Sequence, residues 1–262
     1  MRNILQTIAV AFAMFSAIPV PQPVWTEKNT RYILCAFPLV GFVCGLLWRG
    51  WAAIIDYAGG SPLLLAGGLC VIPVLVTGGI HLDGYADTSD ALGSCGPPEK
   101  KQEILKDSRC GAFAVIRLCT WFAAYFALCA SVRWDEGALR CMGIAFVLER
   151  CLSGLAIASF PLAKNTGLAH TFATAADQKR VRAVLTVSSV LLAAALLFAG
   201  GLAGVFMVFA AGFILWRYYM VSKKQFGGIT GDLAGWFLQR AELWMLGALA
   251  AARLLEGMTW FS

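Results

Sequence analysis

A chain of 262 residues that is 59% hydrophobic and only 14% charged is far from the balance of a soluble globular domain. The composition points to an all-α fold, a polytopic integral membrane helical bundle with the lipid bilayer as its surroundings. The net charge of +6 fits basic loops between membrane spans, and no basic, aromatic-studded soluble segment is present to take a nucleic acid.

The first apolar stretch, Ile4–Ile18, has only Arg2 ahead of it, lacks an A-x-A cleavage site and runs into Pro19-Val20-Pro21-Gln22-Pro23. A cleavable signal peptide is not indicated. The stretch is also too short to cross a hydrocarbon core of roughly 30 Å, so an N-terminal interfacial or re-entrant helix is expected. Apolar segments of spanning length follow at Tyr32–Ile55, Pro62–Ile80, Gly111–Val132, Ala138–Phe160, Ala183–Ala199, Gly201–Val221 and Trp236–Leu255, which predicts about seven transmembrane helices. The nine cysteines are scattered with no C-x-x-C pair and act as small hydrophobes, giving no support to disulfides or sulfur ligation.

Orientation follows from Lys and Arg. Fourteen of the 21 lie on one side: Arg2, Lys28 and Arg31; Lys100, Lys101, Lys106 and Arg109; Lys164, Lys179, Arg180 and Arg182; Arg217, Lys223 and Lys224. Arg133, Arg140 and Arg253 lie on the other, and Arg49, Arg117, Arg150 and Arg240 fall within spans. The positive-inside rule puts the N-terminus and the longer loops in the cytoplasm, as expected of a multi-pass protein of the inner membrane.

Three polar clusters interrupt the apolar pattern. The first, Thr77–Ala91 (TGGIHLDGYADTSDA), follows an apolar span and carries Asp83, Asp87 and Asp90 at i, i+4 and i+7. On a helix that spacing puts all three carboxylates on one face. Crowded like charges need a cation among them, and hard oxygen ligands suit Mg²⁺ or Mn²⁺. His81, beside them, titrates near neutral pH and is a candidate base; a hydrogen-bonded residue at a helix start is the alternative. The second cluster, Lys106–Gly111 (KDSRCG), offers Lys106 and Arg109 for phosphate oxygens, although basic residues at the cytoplasmic end of a span are expected in any case. The third, Phe226–Asp232 (FGGITGD), packs Gly227, Gly228 and Gly231 into five residues, suited to close approach of a ligand or to a tight turn. Both the first and the third contain G-G-I-x-x-D, Gly78–Asp83 and Gly227–Asp232, a weak echo without a third copy. Glu149-Arg150 lies at membrane depth, where an arginine faces either a polar ligand or an ion-pair partner. Arg117 can snorkel to the interface.

The run T-G-G-I-H-L-D-G-Y-A-D-T-S-D (Thr77–Asp90), K-D-S-R-x-G (Lys106–Gly111) and G-G-x-T-G-D (Gly227–Asp232) together resemble the cobalamin synthase family, the adenosylcobinamide-GDP ribazoletransferases. The resemblance extends to F-P-L-V-G (Phe37–Gly41), to Arg150 and to P-x-A-K-x-x-G-L (Pro161–Leu168), in order over nearly the whole chain. Ala91 stands where the family often has glycine, and Glu149 where it has a small residue.

The resemblance implies a single integral membrane catalytic domain over residues 1–262 that joins adenosylcobinamide-GDP to α-ribazole or its 5′-phosphate, releasing GMP, with Mg²⁺ required. It further implies Asp83, Asp87, Asp90 and Asp107 as metal ligands. Asp83, Asp87, Asp90, His81, Lys106 and Arg109 would be catalytic. Arg117, Arg150, Lys164, Gly227, Gly228, Gly231 and Asp232 would meet substrate. It is compatible with a homo-oligomer or with contacts to other cobalamin-assembly enzymes. Two rival readings are a CDP-alcohol phosphotransferase, whose D-G-x-x-A-R pattern is broken by Asp87 after Asp83-Gly84-Tyr85-Ala86, and an ion-coupled transporter, whose site would lie near the midplane.

Overall fold

A computed structural model describes residues 2–21, 23, 25–107, 109–164 and 166–258. Ser108 of the second cluster and Asn165 of the P-x-A-K-x-x-G-L run lie outside the described residues. The described residues form thirteen helices: α1 (Arg2–Phe15), α2 (Glu27–Thr30), α3 (Ile33–Ala36), α4 (Pro38–Tyr57), α5 (Pro62–Thr77), α6 (Ile80–Gly93), α7 (Pro98–Ile104), α8 (Ala112–Ser131), α9 (Glu136–Ser159), α10 (Leu168–Ala175), α11 (Gln178–Gly200), α12 (Leu202–Phe226) and α13 (Gly231–Met258).

All seven apolar segments are helical. Five helical stretches among the described residues are long and apolar enough to cross a membrane, namely Ile33–Tyr57, α8, α9, α11 and α12; six if α5 and α6 count as one broken span. The difference from seven has two causes. The second segment does not run straight: α5 ends at Gly78 and Gly79, both left-handed (φ 66° and 80°), and α6 leaves at 93°. The last segment, in α13, is interrupted by Arg240, Glu242 and Arg253 and turns much of its surface to the other helices. The N-terminal helix α1 has 14 residues, short as expected, and is followed by Ala17, whose N–H donates to Val76 O at 2.8 Å. That bond pins the N-terminal segment to the α5–α6 bend.

Local chemistry sets the helix ends. Ser61 caps α5 by accepting from Leu64 N–H, with Pro62 in the first turn; Asp135 caps α9 through Ala138 N–H, and Asp177 caps α11 through Arg180 N–H. The α11–α12 hairpin turns at Gly201 (φ 52°), and α12 stops at left-handed Gly227.

Small residues then let the helices approach closely. A side chain on Gly41 would strike Phe146 O of α9 at 2.2 Å, and one on Gly45 would meet Gly143 Cα at 2.9 Å, so α4 and α9 touch backbone to backbone. The same occurs where α6 meets α13: a Cβ on Gly84 would lie 2.7 Å from Asp232 O, and one on Gly235 2.9 Å from His81 O.

The core contains an ion pair. Arg150 Nη1 donates to Glu149 Oε1 at 2.6 Å and to Phe146 O at 2.9 Å, and both residues are essentially inaccessible. Glu242 of α13 and Tyr125 of α8 are buried in the same charge environment. Arg150, expected to meet substrate, is buried inside the bundle, where its guanidinium engages the carboxylate that the sequence places beside it. Hydrophobic side chains such as Phe198 and Phe209 point outward, the lipid-facing pattern.

The basic loops collect at one end. Arg31 pairs with Asp177, Arg180 Nη1 donates to Tyr32 OH, and Gln102 Nε2 donates to Phe226 O, joining segments far apart in sequence. At the opposite end Arg49 pairs with Glu136 and Arg253 with Asp135, which assigns Arg49 to that side.

Arg150→Met, which strands the buried Glu149, is expected to cost about 3–5 kcal/mol of stability, and adding Glu149→Gln should return part of it; thermal unfolding in detergent reads both. Gly84→Val, overpacking the α6–α13 crossing, should cost about 1–3 kcal/mol. Gly67→Ala, where a Cβ meets nothing within 4 Å, should leave the unfolding midpoint close to wild type.

Candidate active site

The two G-G-I-x-x-D segments meet. Each glycine pair takes positive φ, 66° and 80° at Gly78 and Gly79, 75° and 158° at Gly227 and Gly228, and each precedes a helix with an aspartate in its first turn, Asp83 on α6 and Asp232 on α13. The Gly84–Asp232 contact sets the two helix starts side by side. Two helix N-termini thus converge at the end of the bundle that holds the basic loops.

The four carboxylates of Asp83, Asp87, Asp90 and Asp232 share this region, and Asp87 lies in the charge field of the other three. Asp83 is exposed; Asp87, Asp90 and Asp232 are half-buried. Among the described residues none of the four has an ion-pair partner within 4 Å, and Thr230 Oγ1 donates to Asp232 Oδ2 at 3.4 Å. A crowd of carboxylates without a paired cation matches the chemistry of a divalent-ion site. Equally, no three His, Cys, Asp or Glu groups among the described residues stand close enough together to grip an ion at once.

The second cluster joins the first through a glycine. A Cβ on Gly111 would fall 2.1 Å from both Asp90 oxygens, so the last residue of K-D-S-R-x-G is the surface on which the third aspartate rests. Asp107 and Arg109 instead hold each other. The Arg109 side chain and backbone N–H both bond the Asp107 carboxylate, with Nη2 at 2.7 Å from Oδ2, and these bonds pull its pKa down to about 2. Both side chains are exposed and turned to each other; Asp107 is not brought to the four-aspartate face.

The third cluster is clamped to Pro161–Lys164. Ile229 N–H donates to Pro161 O at 2.9 Å and Ala163 N–H to Ile229 O at 3.0 Å, a two-residue parallel bridge. Gly228 has no room for a side chain because Leu162 C lies 2.4 Å from where its Cβ would be, and Gly227 supplies the left-handed end of α12. Gly228 thus serves the chain's own packing instead of admitting substrate, whereas Gly227 is exposed and a Cβ there would meet only Gln102 Nε2, at 4.0 Å. Gly231 has open space and lines a cavity. The bridge delivers Lys164, whose Nζ donates to Gln102 O at 3.4 Å. Partial burial holds the Lys164 amine below the ordinary lysine range, the nearby charge of Lys106 adds to this, and Asp232 opposes it. Lys164 therefore lies in the neighbourhood of Asp232, with Lys106 close to Lys164.

Two cavities flank α6. One of about 500 Å³ lies toward α8 and is lined by Gly78, Asp83, Asp87 and Cys110; the other, about 280 Å³, lies toward α9 and α13 and is lined by His81, Asp83, Ser153 and Asp232 among apolar groups. Asp83 borders both. His81 is 5% exposed, edge-on to Phe37 at 5.8 Å, with no partner for Nε2. Arg117 is exposed on α8, in the charge field of Tyr85 and Arg240, and lines neither cavity. A cleft of about 640 Å³ lined by Arg49, Asp56, Arg133 and Glu136 is at the opposite end, away from every polar cluster. Sequence reasoning gave no role to Ser153, a single hydroxyl three residues after Arg150 in an apolar span, or to Phe15, Phe37 and Phe172.

The sequence pattern described as Cobalamin-5-phosphate synthase matches residues 7–250. A relative from Lachnoclostridium phytofermentans (strain ATCC 700394 / DSM 18823 / ISDg), named adenosylcobinamide-GDP ribazoletransferase, is 39% identical over 91% of both chains. Relatives of the same name from Geobacillus sp. (strain WCH70) and Clostridium perfringens (strain SM101 / Type A) are 32% and 30% identical, covering 88% and 91% of this chain and 89% and 94% of their own. No solved structure matches the chain. A match across that length means that this chain belongs to the Cobalamin-5-phosphate synthase family.

Proposed function

We propose that the chain transfers the phosphocobinamide group of adenosylcobinamide-GDP to a hydroxyl of α-ribazole or its 5′-phosphate at the face formed by Asp83, Asp87, Asp90 and Asp232. The observation that carries the reading is the meeting of two aspartate-bearing helix starts beside Lys164. Membership of the family makes the protein a transferase of cobalamin biosynthesis.

In the transfer the acceptor oxygen bonds to the phosphorus attached to cobinamide, the bond from that phosphorus to the oxygen of GMP breaks, and the acceptor proton passes to a carboxylate. GMP leaves with the bonding pair. Such reactions are governed by positioning and charge stabilisation. Lys164, with Lys106 close to it, would hold phosphate oxygens, and the first-turn N–H groups of α6 and α13 would add positive potential. Asp83, which lines both cavities, would meet the acceptor on one side and the donor on the other.

Mg²⁺ would neutralise charge on the diphosphate and the departing phosphate. Asp83, Asp87, Asp90 and Asp232 are the residues that would hold it. A site lacking three preassembled ligands suits that ion, which is commonly bound by one or two carboxylates and substrate phosphates together. With the bundle in the inner membrane, this end would face the cytoplasm, where nucleotides are found, a reading that the gathering of basic loops here supports. Sited beside loops and helix starts, the carboxylates do not favour a midplane transport site.

Incubation of membranes carrying the protein with adenosylcobinamide-GDP, α-ribazole and Mg²⁺ should yield GMP and a cobalamin; absence of both from folded protein would overturn the reading. Chelation should abolish turnover and added Mg²⁺ restore it. Asp87→Asn should lower turnover about tenfold to a hundredfold, with Asp107→Asn losing less. Lys164→Ala should raise the KM for adenosylcobinamide-GDP about tenfold, the loss of one charge-assisted bond.

A further inference from the structure

The smaller cavity beside α6 has a chemistry of its own. It is closed in by the rings of Phe15, Phe37 and Phe172, with Phe15 centred 4.4 Å from Phe37 and 5.5 Å from Phe172. Two polar atoms lie among them, His81 Nε2 and Ser153 Oγ, neither with a hydrogen-bond partner among the described residues. Their residues are 5% and 0% exposed. Buried polar atoms are rarely left unpaired, and a ligand is one way to satisfy them. At its edge the cavity meets Asp83 and Asp232, the carboxylates at the starts of α6 and α13.

We infer that this cavity is the base subsite for the acceptor, taking a flat, weakly polar, bicyclic nitrogen base whose bare ring nitrogen accepts a hydrogen bond from Ser153 Oγ, beside His81 Nε2. The inference rests on the transferase reading above and extends it to the seat of one substrate. Size and polarity select the occupant. At about 280 Å³ the space is at the small end of ligand pockets and holds one bicycle, far less than a corrin ring. A guanine edge presents several donors and acceptors that apolar walls with two polar atoms would leave unpaired, whereas a benzimidazole presents one bare nitrogen. A lipid tail would leave both polar atoms unsatisfied. With the base seated here, its ribose reaches the Asp83–Asp232 edge, and the cavity of about 500 Å³ on the α8 side of Asp83 remains for the diphosphate of the donor. Acceptor and leaving group then lie on opposite sides of Asp83, as in-line displacement requires. His81 accordingly has a binding role, through a nitrogen that faces the base.

The test uses the full-length protein in membranes or nanodiscs, with steady-state kinetics for both substrates and direct binding of α-ribazole by its own fluorescence. Ala169→Leu, which narrows the cavity from α10, and Ser153→Ala, which removes one donor with little change of volume, should each raise the KM and Kd for α-ribazole about tenfold or more, with the KM for adenosylcobinamide-GDP within about twofold of wild type. Wild type should bind α-ribazole without the donor, and free 5,6-dimethylbenzimidazole should compete where guanosine does not. Ser153→Ala carries the result if Ala169→Leu does not fold. A KM rise confined to adenosylcobinamide-GDP, an equal rise for both substrates, unchanged α-ribazole constants in Ser153→Ala, or competition by guanosine overturns the subsite. Failure of wild type to form GMP and cobalamin overturns the transferase reading instead, so the two failures are distinct.

Discussion

The structure depends on the crossing of α6 and α13. Gly84 and Gly235 let the two backbones touch, and that contact alone brings Asp232 within the charge field of Asp87, about 145 residues away in sequence. With a side chain at either glycine the helices would separate by the width of that side chain, and the two aspartate-bearing helix starts would part. Other features are arranged about this crossing. The 93° bend at Gly78–Gly79 aims α6 across the bundle instead of along it, and the Pro161–Ala163 bridge to Ile229 fixes the start of α13 while presenting Lys164.

Charge is handled in two contrasting ways. In the core, Arg150 is neutralised by its neighbour Glu149, with Glu242 close by, because an unpaired ion surrounded by helices would carry a large desolvation cost. At the acidic face none of the four carboxylates is ion-paired among the described residues and only Lys164 lies in the field of Asp232, so most of their mutual repulsion is left for something that arrives with or beside the substrate. The first arrangement holds helices together and the second is a reason to bind. Both use the same residue types, and the difference lies in whether a guanidinium is packed within reach.

The glycines of the polar clusters show why local reading and tertiary role diverge. G-G-x-T-G-D suggests a loop opened for a ligand, yet Gly228 is filled by Leu162 and Ala163 of the same chain, and of the three glycines Gly231 is the one that lines a cavity. K-D-S-R-x-G suggests a phosphate clamp, yet Asp107 occupies Arg109 while Gly111 supports Asp90. Spacing shows that backbone must come close at these points. What it comes close to depends on helices far off in the chain.

By itself the sequence determined the helical membrane bundle, the shared face of Asp83, Asp87 and Asp90, the clustering of basic loops at one end, and the family, since hydropathy, helical period and short ordered motifs are local properties written residue by residue. The tertiary structure decided that Asp232 completes that face, that Arg150 belongs to the core, that α5 and α6 form a bent pair, and that three phenylalanines from separate segments enclose His81 and Ser153. Those outcomes depend on which helices cross at which glycines, a balance of non-local packing and buried charge that no single stretch of the chain contains.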